Sequence, residues 1–93
     1  MPDVLMNDIP ENMQFLFKNP DTHVTREDVA SFRRMAQRAE RLRKNNGAII
    51  PGQFTARVFW IEYAYKHNIQ LNKCAMMETA HDLASVHIPN SYD

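Results

Sequence analysis

Apolar positions concentrate in residues 54–67, FTARVFWIEYAYKH, the least polar run in the chain. At about 100° per residue, Phe54, Val58, Ile61 and Tyr65 share one face of a helix, and Ala56, Phe59, Trp60 and Tyr63 fall on the far side. Arg57, Glu62 and Lys66 interrupt the ring. The residues do not alternate as those of a half-buried strand do. The run is also too short for a bilayer span, which needs about 20 residues. A helix that is apolar nearly all round is covered on more than one side. The pattern therefore predicts a central helix, buried by neighbours on at least two faces. A competing reading leaves part of the ring, Trp60 and Tyr63, exposed as a partner-binding patch.

The remaining elements follow from the same periodicity. Val29, Phe32, Met35, Ala36, Ala39 and Leu42 recur at three- and four-residue spacing and predict the longest helix, over about residues 26–45. Thr25 and Asp28 are placed for a capping box, and Asn45, Asn46 and Gly47 for a left-handed stop. Asn72 is a good N-cap for a last helix of about residues 73–87, whose buried stripe is Met76, Met77, Ala80, Leu83, Ala84 and Ile88. A short first helix opens near Pro10, with Asp8 or Ile9 as its cap, and runs to about Lys18, where Asn19-Pro20 stops it. Met13, Leu16 and Phe17 face the body. Between the long helix and the central one, Ile49 and Ile50 are tucked under the body and Pro51-Gly52 makes a tight turn. The fold class is all-α: a small bundle of three main helices plus a short N-terminal helix. Residues 1–93 form a single domain, with 1–9 a loose arm and 89–93 a polar tail.

Length and charge narrow the function. A chain of 93 residues holds one modest core. A lone cysteine, Cys74, excludes an internal disulfide and fits a reducing, cytoplasmic setting. The start, MPDVLMNDIPENM, lacks the basic and apolar regions of a signal peptide, and no membrane association is expected. The formal net charge is zero but unevenly spread: residues 1–32 carry six acids and two bases, and residues 33–45 carry six bases and one acid. Zero net charge argues against coating nucleic acid with the whole surface. The basic segment leaves a directed cationic face.

That face is the strongest functional signal. Arg34, Arg38 and Arg41 form a stripe opposite the apolar face, and Arg33 and Lys44 lie beside it with Gln37 and Glu40. Arginine forks match phosphate and carboxylate alike. The stripe suits a nucleic-acid backbone or an acidic protein surface, and the bland alternative is a solvated face with a Glu40–Lys44 pair. A helix-turn-helix made of the last two helices is disfavoured: the recognition helix would carry Lys73 as its only Lys or Arg and present Glu78 and Asp82.

Catalysis finds little support. Cys74, Glu78, His81 and Ser85 share one side of the last helix, but no CxxC, HExxH or second cysteine completes a metal shell. No glycine-rich phosphate loop exists, since Gly47 and Gly52 are the only glycines. His87 lies on the apolar stripe, and His23 and His67 sit at helix ends. Met35, Met76 and Met77 fill core positions. No catalytic residue, metal or cofactor is expected. The leading expectation is a regulatory binding protein that contacts nucleic acid or a nucleoprotein complex through Arg33, Arg34, Arg38, Arg41 and Lys44. The alternative is a protein–protein inhibitor or adaptor, acting through Trp60 and Tyr63 or by docking the basic helix on an acidic protein. A homo-oligomer is the third reading.

Overall fold

The computed structural model describes residues 8–20 and 23–86. The remaining positions of the expected arm, together with His87, Ile88 and the polar tail, lie outside the described residues. Among the described residues four helices follow in order: a 3-10 helix η1 (Glu11–Leu16), then α1 (Arg26–Asn46), α2 (Gly52–Lys66) and α3 (Lys73–Ala84). Among the described residues there is no strand, so the all-α expectation holds.

Local signals decide where the helices begin and end. Thr25 Oγ1 accepts from the Asp28 N–H at 3.1 Å, and Asp28 Oδ2 accepts from the Thr25 N–H at 3.0 Å, closing the capping box. The Lys73 ammonium, 3.3 Å from the same carboxylate, ties the start of α3 to the start of α1. Gly47 ends α1 at φ 72°, the left-handed conformation that glycine adopts without strain. Asn72 caps α3 by accepting from the Ala75 N–H at 3.0 Å, and its amide donates to the Lys18 carbonyl at 2.9 Å. One side chain thus starts a helix and fastens η1 to it. Asn68 takes φ 57°, and the Ile69 N–H turns back to the Ala64 carbonyl at 2.8 Å, which closes α2 and sets the short link to α3.

Several expected boundaries shift. The first helix is 3-10 and ends at Leu16, with Pro10 as its flanking residue; a segment this short gains little from α-helical propagation. Ile9, at the end of the expected loose arm, is buried. Pro51 precedes the first turn of α2, and Gly52 is its first residue instead of part of a separate turn. Ile49 is 80% exposed; Ala48 is buried in its place and Ile50 packs partly against the core.

The core joins all four helices. Leu16, Phe32, Ile61, Met76 and Leu83 are its largest fully buried apolar side chains, each contributing about 1.5–3 kcal/mol through burial. The element at the centre is α3, not α2. The α3 helix packs most extensively on α1 and also meets α2 and η1, while α1 and α2 touch only slightly. Its buried face is Ala75, Met76, Thr79, Ala80 and Leu83, with Met77 half-buried and Ala84 exposed. Thr79 fits there because its hydroxyl donates to the Ala75 carbonyl at 2.9 Å. The α2 helix is covered on one side only, with Ile61 and Ala64 its fully buried residues. The expectation of a helix buried nearly all round is therefore corrected: too few helices surround α2 to cover its ring.

Candidate binding surfaces

Five basic residues of α1 stand out in the sequence, and the fold divides them. Arg33 turns to α2, donating from Nε to Glu62 Oε2 at 2.8 Å and from Nη2 to Oε1 at 2.7 Å. Its guanidinium also lies 4.7 Å from the centre of the Tyr65 ring. Arg38 reaches the end of α3, where Nη1 donates to the carbonyls of Val86 at 3.0 Å and Ala84 at 3.4 Å. A cation at a helix C-terminus satisfies carbonyls that lack partners within the helix. The expected stripe Arg34–Arg38–Arg41 is thus interrupted at its middle by a structural contact. Arg34, Arg41 and Lys44 remain exposed, and none forms a hydrogen bond or ion pair among the described residues. The expected Glu40–Lys44 pair is replaced by Glu40 with Arg43, 2.5 Å apart, which holds the Glu40 carboxyl below its ordinary range.

A second surface lies on α2. Phe59 is 59% exposed and Tyr65 is 40% exposed, although both are large and aromatic. The rings form a ladder along the helix. Trp60 meets Phe59 edge-on at 5.3 Å and Tyr63 at 5.4 Å, and Tyr63 stacks on His67 at 4.3 Å. Trp60 also meets the buried Phe17 edge-on at 6.4 Å, so it joins the ladder to the core and is only half exposed. An open groove of about 750 Å³ runs beside the ladder, walled by Val58, Phe59, Tyr63, Tyr65 and His67 and edged by Arg33, Glu62 and Lys66.

The two residues expected to form an exposed patch, Trp60 and Tyr63, are half-buried, and Phe59 beside them is 59% exposed. The sequence pattern points to Trp60, Tyr63 and neighbouring apolar residues, and does not single out Phe59, Tyr65, Lys66 or His67, which line the groove. A signal was present: Thr55, Phe59, Glu62 and Lys66 recur at i, i+4, i+7 and i+11. That stripe is polar except for Phe59 and marks the solvent side of α2.

The remaining candidates stay dispersed. Cys74, Glu78, His81 and Ser85 are exposed on the outer side of α3. Among the described residues no three His, Cys, Asp or Glu side chains gather as a metal site would need. No described helix is long and apolar enough to cross a membrane. Arg57 points inward: its guanidinium lies 5.0 Å from the Phe15 ring centre and 5.8 Å from that of Phe54, and Nη1 is 3.4 Å from Asp82 Oδ2.

Comparison with known proteins finds no match to a family model, a curated protein or a solved structure. The functional reading rests on these surfaces alone.

Proposed function

We propose that this domain is a small, non-enzymatic binding module that docks a protein partner on the aromatic face of α2. The observation that carries this reading is Phe59, 59% exposed in a groove that Tyr63 and His67 also line, beside the Trp60–Tyr63–His67 ladder. Interfaces concentrate their energy in a few aromatic or arginine anchors surrounded by a polar rim. Phe59 and Tyr63 are such anchors, and Glu62 and Lys66 supply the rim. The test is capture of a partner by the immobilised domain, repeated with Phe59→Ala. A partner retained equally by the variant removes α2 as the docking face.

A second reading, contact with nucleic acid through α1, draws support from Arg34, Arg41 and Lys44, which are exposed and unpaired among the described residues. It is the weaker of the two because Arg33 and Arg38 are engaged within the fold. Its test is binding to a fluorescent duplex and a single strand at low and physiological salt. Phosphate contacts give affinity that falls steeply with salt, and Arg34→Glu with Arg41→Glu abolishes it. No binding at low salt removes this reading.

A further inference from the structure

We infer that the segment docked on α2 is an acidic amphipathic helix of two to three turns. The inference rests on the proposed docking role of α2 and adds the chemistry of the occupant.

Length and shape point to a helix. The groove follows α2 from Val58 to His67, about 15 Å at the helical rise of about 1.5 Å per residue. A partner helix of roughly ten residues spans that distance. Phe59, Tyr63 and His67, spaced i, i+4 and i+8, form an aromatic strip along one wall that receives anchors spaced i, i+3 or i+4, and i+7 along such a helix.

Charge decides the sign of the flanks. Glu62 is the one carboxylate at the groove, and Arg33 already neutralises it in a two-pronged pair. Lys66 stands at the edge with no partner among the described residues. The neighbouring α1 carries seven cations against three carboxylates. Two of those carboxylates are taken, Asp28 by Lys73 and Glu40 by Arg43. Among the described residues that line the groove, Lys66 is therefore an unpaired positive charge and no carboxylate is left unpaired. Acidic flanks complement this field, and basic flanks meet repulsion. A second copy of α2 is a poor occupant. It would bring another Lys66, and its own Glu62 is already committed to Arg33.

The experiment is selection on the immobilised domain from a display library of helical peptides about 14 residues long. Leucine is fixed at i, i+3, i+4 and i+7, and the other positions are drawn from Asp, Glu, Lys, Arg, Ser and Gln. Selected clones are sorted by whether Phe59→Ala abolishes their binding. The expected result is an excess of Asp and Glu over Lys and Arg flanking the leucines in the Phe59-dependent clones. A synthetic peptide from that set should also quench or shift Trp60 fluorescence and bind Lys66→Glu at least tenfold more weakly. Phe59-dependent clones without acidic excess, or an affinity unchanged by Lys66→Glu, overturn the acidic assignment and leave the docking role standing. Absence of any Phe59-dependent clone overturns both.

Discussion

Arg33 and Glu62 join α1 to α2 through a bidentate pair, with Nε to Oε2 at 2.8 Å and Nη2 to Oε1 at 2.7 Å. The two helices otherwise touch little, and both are held by packing on α3. Both side chains are well exposed, at 42% and 37%. Water and salt therefore screen the attraction, and pairs of this kind contribute about 0.2–1 kcal/mol. Glu62→Gln should lower unfolding stability by no more than about 1 kcal/mol, and less at high salt. A double-mutant cycle with Arg33→Gln, measured by urea denaturation, checks the coupling. A salt-independent coupling well above that range contradicts the exposed-pair account.

Arg57 has the opposite character. Its side chain is 20% exposed, it sits near two phenylalanine rings, and its Nε is buried with no acceptor among the described residues. Asp82 supplies its one charged partner among the described residues, at 3.4 Å. Removing that carboxylate leaves a largely buried cation uncompensated. Asp82→Ala should therefore destabilise the fold by about 1–3 kcal/mol. Arg57→Met keeps an unbranched stem between the rings and removes the charge along with the unsatisfied N–H. It should cost less than about 1.5 kcal/mol. Urea midpoints of the two variants settle the order, and Arg57→Met being the worse of the two contradicts this account.

The helix caps and the arginines of α1 show what sequence carries and what it does not. The Thr25–Asp28 box, the Gly47 stop and the Asn72 cap were legible because each depends on residues within a turn of one another. The buried stripe of α1 was legible because burial follows its own periodicity. Where an arginine ends was not legible. Arg33 and Arg38 lie on the solvent side of a helical wheel, yet their long side chains reach Glu62 and Val86, 29 and 48 positions away. The exposure of Phe59 was only partly legible, through its place on the Thr55–Glu62–Lys66 stripe. An apolar ring shows that a helix can be buried on several sides, while the number of helices available to cover it depends on tertiary arrangement. The centre of this bundle went to α3, whose Ala75 and Ala80 are buried alongside Met76 and Leu83.

Acid should loosen the start of α1. The Asp28 carboxyl accepts from the Thr25 N–H and lies beside Lys73, and these hold it below its ordinary value of 3.8. A carboxyl depressed in the folded state contributes stability above the unfolded pKa. That contribution is lost as pH falls through the folded one. Unfolding stability should therefore hold at neutral pH and fall as the solution is acidified below about pH 4. Asp28→Asn should flatten that decline, because asparagine still accepts the capping hydrogen bond and does not titrate. Chemical denaturation of both proteins between neutral pH and the acid limb tests this. Parallel curves would show that Asp28 does not report on folding.

Phe59 and Trp60 are neighbours in sequence and differ in what they support. Phe59 is 59% exposed and touches Trp60 and Tyr63, both on its own helix. Trp60 also meets Phe17, which is buried at 7% exposure beneath it. Truncating an exposed side chain on one helix removes little burial, so Phe59→Ala should change stability by no more than about 0.5 kcal/mol. Trp60→Ala opens space between α2 and η1, and should cost several times more, approaching about 3 kcal/mol. Binding should order the other way. Phe59→Ala should abolish partner capture with the fold intact, and any loss in Trp60→Ala should track its loss of stability. Thermal melts and capture assays on both variants measure the two quantities together. If Phe59→Ala melts as early as Trp60→Ala, then Phe59 is a packing residue, and the aromatic face of α2 is the edge of the core and not a docking surface.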